Sequence, residues 1–286
     1  MKLKIAEYWE KFDNNSIKCL LCPHFCCIKQ NNTGLCGVRT NKDSVLIAES
    51  YGAVTSIALD PIEKKPLYMF YPGKTIVSLG SYGCNLRCLF CQNSGISIEY
   101  KNVKIEQLTP ELVAEVAVMA VKDKNIGVAY TYNEPLIGYE FIKDCASLIR
   151  KAGLMNVLVT NGYINVEPFA ELLPMIDAIN VDIKGYNKRT YNSVGGTLEP
   201  VLNTIETAVK SCHVEVTTLV LPGENENEVE EIAKWLSNID PEIPYHLSRF
   251  FPRYKYSGDE PTPPETMYEV CDLAKKHLKN VFIGNM

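Results

Sequence analysis

The chain has 286 residues, 46% of them hydrophobic and 22% charged, and a formal net charge of -5. That length suits one large α/β domain with a small appendage rather than a stapled mini-protein. An acidic balance argues against a nucleic-acid groove, which needs clustered Lys and Arg, and no run approaches the roughly eighteen apolar residues of a membrane span.

The N-terminal stretch Met1–Glu7 lacks the apolar core of a signal peptide, so a cytoplasmic location is expected. In that reducing setting the eleven cysteines read as metal ligands or free thiols, and seven of them fall in two groups before Asn93. The first group is Cys19, Cys22, Cys26 and Cys36. Its C-x2-C opening suits zinc or a second iron–sulfur cluster, with a metal-free cysteine-rich loop as the alternative. His24 and Cys27 are substitutes for one thiolate. Residues 1–72 are read as a cysteine-rich metal-binding cap with connecting strands at Val45–Ala48 and Val54–Ala58, and the cap's metal as a structural staple.

Thr75–Gly80 is an apolar strand-like run that delivers Gly83-Cys84-Asn85-Leu86-Arg87-Cys88-Leu89-Phe90-Cys91-Gln92-Asn93 at its C-terminal end. Three thiols spaced C-x3-C-x2-C fit three irons of a four-iron cluster and leave the fourth without a protein ligand. Structural zinc wants a closed set of four, and a complete ferredoxin set supplies four cysteines. From here the chain alternates helix and strand. Thr109-Pro110-Glu111 is a helix start, and strands follow at Gly127–Tyr132, Val157–Val159, Ala178–Lys184, Val214–Val220, Tyr245–Phe250 and Val281–Ile283. About six βα units result over 73–286, predicting α/β architecture as a partial (β/α)6 TIM-like barrel. Glu134, Asn161, Asp182, Lys184, Thr217 and His246 fall at or near strand ends, where such barrels place their chemistry.

The cluster stretch resembles the signature of the radical S-adenosylmethionine (SAM) superfamily, in which an aromatic residue precedes the third cysteine as Phe90 does. The resemblance implies a [4Fe–4S] cluster on Cys84, Cys88 and Cys91, with SAM chelating the open iron. The cofactor then needs an acceptor for its ammonium, which Glu134 suits, and a donor for its carboxylate, which Lys184 or His246 suits. The branch resembled is that of the pyruvate formate-lyase activating enzyme, with Tyr132-Asn133-Glu134-Pro135 in place of a Gly-Gly-Glu motif. By that likeness Asn133, Thr160, Asn161 and Asp182 also line the cofactor, Thr217 joins them by its place near a strand end, and Thr160 and Asp182 could form part of a monovalent-cation site, although Val159 replaces an acid there. Cys19-x2-Cys22-Pro23-His24-x-Cys26, Gly34-x-Cys36-Gly37-Val38-Arg39, Tyr130–Pro135, Val159–Tyr163 and His246–Phe250 are similar to the radical SAM member of the AmmeMemoRadiSam system. That implies Memo-type and AMMECR1-like partners, and an electron donor such as flavodoxin or ferredoxin.

The expected activity is reductive cleavage of SAM to methionine and a 5′-deoxyadenosyl radical that abstracts hydrogen from a substrate no motif identifies. One alternative is an activase that installs a glycyl radical on a partner protein. Another is a non-catalytic metal-binding or electron-transfer module, which leaves the open iron and the polar strand ends without a purpose.

Overall fold

The structure is a computed structural model and describes residues 3–13 and 15–286. Its centre is one eight-stranded sheet. The strands are β1 (Ser56–Pro61), β2 (Thr75–Gly80), β3 (Asn125–Tyr130), β4 (Met155–Thr160), β5 (Ala178–Asp182), β6 (His213–Val220), β7 (Tyr245–Arg249) and β8 (Val281–Gly284). They lie in chain order across the sheet, with β2 to β8 parallel and β1 antiparallel to β2. Each parallel connection carries a helix: α1 (Pro110–Met119), α2 (Tyr139–Lys151), α3 (Val166–Leu172), α4 (Glu199–Ala208), α5 (Val229–Ile239) and α6 (Pro264–Ala274). Helix-bearing crossovers are what parallel pairing requires. The Thr109 hydroxyl caps α1 by accepting from the Leu112 N–H at 3.3 Å, with Pro110 at the first helical position.

Alternation along the strands divides the interior in two. Val128, Ile179, Val181, Val216 and Leu247 pack outward under the helices in the main core. The intervening residues point to the other face and form layers: Ala178 beside His213, Asn180 beside Glu215, then Asp182, Thr217 and His246. The lowest layer meets a strap, residues 62–74, that leaves β1 at the N-terminal end of β2 and crosses this face. Its Ile62 and Leu67 pack with Ile76, Ala129, Val157 and Ala178 in a separate apolar cluster. The strap is tied across the sheet by the Asn180 side-chain amide, which donates to the Pro66 carbonyl at 2.8 Å, and by Glu215, which accepts from the Tyr68 and Met69 N–H groups at 3.0 and 2.8 Å. Strand β1 and most of this strap lie before the expected boundary at 72/73, and they complete the sheet and its floor.

The N-terminal segment carries short strands at Trp9–Lys11, Ile17–Cys19 and Cys27–Ile28, and a hairpin of Arg39–Lys42 with Val45–Ala48. It is clamped to the sheet domain by Arg39, which is 1% exposed. The Arg39 guanidinium pairs with Glu140 on α2 and donates to the Glu7 carbonyl at 2.9 Å, while Glu140 also accepts from the Glu7 N–H at 2.7 Å. Among the described residues no helix is long and apolar enough to cross a membrane. Arg39→Ala strands a buried carboxylate, so we expect a loss of about 3–5 kcal/mol in urea unfolding, and a double Arg39→Met, Glu140→Leu change to recover much of it. An Arg39→Ala protein as stable as wild type would refute the clamp.

Candidate active site

Beyond β2 the chain leaves regular structure, and its backbone must find partners inside the protein. Asparagine side chains supply them. Asn133, just after β3, accepts from the Ser81 N–H at 2.9 Å and donates to the Tyr82 and Gly83 carbonyls at 3.1 Å. Asn85 donates to the Tyr163 carbonyl at 2.7 Å, and Asn93 to the Tyr132 carbonyl at 2.7 Å. Gly83 sits at φ +84°, where a Cβ would stand 2.5 Å from the Cys36 carbonyl oxygen, so only glycine fits. The loop thus held presents Cys84, Cys88 and Cys91 to the mouth of the sheet domain.

A cavity of about 610 Å³ opens there, within the usual range for cofactor and substrate sites. The three cysteines and all nine residues singled out as cofactor contacts (Phe90, Asn133, Glu134, Thr160, Asn161, Asp182, Lys184, Thr217 and His246) line it. Cys19, Cys22, Cys26 and Cys36 line a separate, small cavity in the N-terminal segment.

Glu134 is buried beside the cysteines. One oxygen accepts from the Thr160 hydroxyl at 2.6 Å and the Leu136 N–H at 3.0 Å, the other from the Asn161 N–H at 2.8 Å. Burial pushes its carboxyl up to about 7 against these donors, with the Asp182 charge adding to the rise. A carboxylate so placed gains most when a cation arrives to pair with it. Lys184 lies 3.1 Å from Asp182. Burial alone would lower its pKa, but Asp182 and the Cys88 sulfur outweigh that and hold the ammonium above its ordinary range. Cys84 receives the Leu86 N–H at 3.3 Å and the Asn161 side-chain amide at 3.6 Å. Burial pushes the Cys84 and Cys88 thiols up, the latter to about 11, so loading a metal must displace protons.

Two residues sit deeper than the sequence indicates. Thr217 lies mid-strand in β6 and donates to Asn180 at 2.9 Å. His246 is the second residue of β7, not a strand-end residue, because inward-facing positions recur every two residues along the whole strand. Its Nε2 lies 2.5 Å from Glu215, and its ring stacks on Phe282 and meets Tyr68 edge-on.

Sequence reasoning missed the floor. Glu215 joins His246 to His213, the latter at 2.9 Å, besides holding the strap. Asp60 accepts from the Tyr132 hydroxyl at 2.6 Å and from Lys65 at 2.9 Å, with the Lys65 ammonium 4.5 Å from the Tyr132 ring centroid. Burial would raise the Asp60 carboxyl, but Tyr132 and Lys65 hold it well below the usual carboxylate range. Tyr132 itself takes φ +71°, a strained backbone for a bulky residue. Glu215 stands two residues before Thr217, and that spacing was the one signal available. Nothing in the sequence pairs Asp60 with Tyr132.

An open parallel sheet with a three-cysteine loop beyond one strand and a polar cavity at its mouth defines a class of cofactor-dependent α/β enzymes. Residues 79–236, more than half of the chain, match the Radical SAM superfamily, and the chain belongs to that family. It is 43% identical to an uncharacterized protein of Methanocaldococcus jannaschii over 292 aligned residues, covering 99% of this chain and 86% of that one. The pyruvate formate-lyase 1-activating enzyme of Escherichia coli is 26% identical over 216 residues, 68% of this chain and 86% of that enzyme. A probable GTP 3′,8-cyclase of Methanosarcina mazei is 28% identical over 68% of this chain and 61% of its own length. The SAM-bound crystal structure of Streptococcus suis SuiB matches with a TM-score of 0.53 at 8% identity, over 73% of this chain and 46% of that one, a likeness of fold.

The chain is therefore a radical SAM enzyme, and the family brings a [4Fe–4S] cluster and SAM. The residues fit them: three half-buried thiols at the cavity offer soft ligands and a buried carboxylate stands ready for an ammonium.

Glu215 supplies the pH dependence of the floor. Burial opposes its ionisation, yet His213, His246 and the two strap N–H groups hold its carboxyl down at about 2. Its stabilisation is complete above the ordinary value of about 4.5 and is lost as pH falls towards 2. Glu215→Gln should cost about 2–3 kcal/mol at pH 7, with the gap to wild type narrowing below pH 4.5. An unchanged gap near pH 2 in urea titrations would show that charge does not hold the array.

Proposed function

We propose that Cys84, Cys88 and Cys91 hold the cluster, that Glu134 takes the SAM ammonium, and that Lys184 takes its carboxylate. The observation that carries the reading is the meeting of the three thiols and the buried Glu134 carboxylate in one cavity. When bound, the cluster supplies the electron that cleaves SAM to methionine and a 5′-deoxyadenosyl radical. The chain's own residues orient the cofactor and keep water away. Asn133 and Asn161 brace the loop that carries the thiols, while Thr160 and the Asn161 N–H fix the Glu134 carboxylate. Phe90 closes one wall against Tyr256, with ring centroids 6.0 Å apart. Asp182 keeps Lys184 charged and within the cavity. We place His246 and Thr217, nearer the floor, on the substrate side rather than on the SAM carboxylate.

The strap closes the floor, which supports a small-molecule substrate that enters from the mouth. The activase alternative requires a polypeptide loop to reach the same depth past Lys65 and Tyr132. The finer assignment to the AmmeMemoRadiSam system, with Memo-type and AMMECR1-like partners and a flavodoxin or ferredoxin donor, is supported by the motifs from Cys19 to Arg39 and from His246 to Phe250. Metal on Cys19, Cys22, Cys26 and Cys36 belongs to the same reading.

Anaerobic reconstitution with iron and sulfide, then reduction in the presence of SAM, should yield 5′-deoxyadenosine. Its absence from protein with an intact cluster spectrum would sink the assignment. Replacement of any of Cys84, Cys88 or Cys91 with Ala should abolish cleavage. Glu134→Gln should keep the cluster and weaken SAM binding about tenfold or more in equilibrium titration, the scale of one charge-assisted hydrogen bond. Unaltered SAM affinity would remove Glu134 from the cofactor.

A further inference from the structure

We propose that Lys65 is a nucleophile that condenses with a small aldehyde or ketone in the cavity, so that the substrate is a carbonyl compound held as an imine. The role of that bond rests on the radical SAM reading above, while its formation does not.

Lys64, Lys65 and Lys184 all line the cavity. The Lys64 side chain is 68% exposed and belongs to the surface, whereas that of Lys65 is 3% exposed. The strap fixes Lys65 from both sides. Ile62 and Leu67 are buried in the floor cluster, the Lys65 N–H donates to the Ile62 carbonyl at 2.9 Å, and Asn180 holds the Pro66 carbonyl. A nucleophile on so rigid a support has little freedom left to lose when it meets its target.

The two buried lysines are paired differently. Asp182 serves Lys184 alone among the described residues. Asp60 is shared: its Oδ2 accepts from the Tyr132 hydroxyl at 2.6 Å and from Lys65 at 2.9 Å, and its Oδ1 lies 3.4 Å from Lys64. Burial of Lys65 disfavours its ammonium by more than this divided partner favours it, and the Lys64 charge adds to the fall, so its pKa lies below the ordinary lysine value. A buried lysine that gives up a proton readily and faces a cavity is the form that attacks carbonyls. Lys184 remains a cation suited to a carboxylate, and Lys65 supplies an amine.

The condensation balances within this group. The nitrogen lone pair forms the C–N bond as the carbonyl π pair moves to oxygen. Of the three ammonium protons, two pass to that oxygen, which leaves as water, and the nitrogen keeps the third as an iminium. The product carries the same single positive charge as the ammonium. Asp60 and the Tyr132 ring, whose centroid lies 4.5 Å from Nζ, therefore serve it as they served the ammonium. A carbon radical formed next to the C=N bond is shared with that bond, so the covalent intermediate eases abstraction of hydrogen there.

The test uses the reconstituted holoenzyme at neutral pH, with propanal or 2-oxobutanoate as the probe and cyanoborohydride as the hydride donor that fixes an imine as a stable amine. Peptide mass mapping should place the added alkyl group on Lys65, ahead of Lys64 and the surface lysines, with at least one probe. Lys65→Arg, which keeps a cation beside Asp60, should lose that adduct alone. Labelling confined to Lys64 and the surface lysines with both probes overturns the proposal, and so does an adduct on Lys184 in place of Lys65. 5′-Deoxyadenosine released from SAM is measured in parallel. Its release by protein that gives no Lys65 adduct overturns the proposal and leaves the enzyme reading standing. A Lys65 adduct on protein with an intact cluster that cleaves no SAM does the reverse. Because wild-type protein carries the decisive result, a folding defect in the variant cannot imitate it.

Discussion

The arrangement depends on one constraint: an irregular loop must cross the protein interior with its backbone hydrogen bonds satisfied. Regular strands settle that account among themselves, but residues 81–93 cannot. Asn133, Asn85 and Asn93 answer with short amides that carry donor and acceptor together. Each comes from, or reaches to, a different part of the chain, so the loop's shape is fixed only when the cap, β3 and the turn after β4 are all in place. Asn161 joins this frame through Asn85.

Two lysines of the cavity beneath the loop are paired with carboxylates. Lys65 is matched by Asp60 and Lys184 by Asp182, while Glu215 is held by His213, His246 and two strap N–H groups. Pairing makes burial of these groups tolerable, since an unmatched charge in the same place would cost several kcal/mol. Glu134 is different. Its partners are neutral donors, which leaves a negative charge to be answered by whatever enters.

Much of this was legible in the sequence because it rests on local patterns. Apolar strand-like runs and helix starts such as Thr109-Pro110 marked the alternation of strand and helix, and C-x3-C-x2-C marked the loop. The twelve residues singled out around it do converge on one cavity. Depth was not legible. Thr217 and His246 lie a layer lower than strand-end reasoning placed them, since inward positions continue down the strand. Asn133 and Asn161 were read as cofactor contacts, and the structure gives them hydrogen bonds to the loop itself. The strap was invisible for a different reason: Asp60, Lys65 and Tyr68 acquire meaning only from partners far along the chain.

That distance has a consequence for how the protein is made. Tyr68 and Glu215 are 147 positions apart. While the chain emerges from the ribosome, the apolar strap exists long before the strand that anchors it. Closing so long a loop carries an entropic cost that only later contacts offset. Ile62 and Leu67 gain partners only as β2 to β5 emerge, and Phe70 must wait in water or in transient company for His213 of β6, a state prone to association with other chains. The floor of the cavity is begun early in synthesis and finished late.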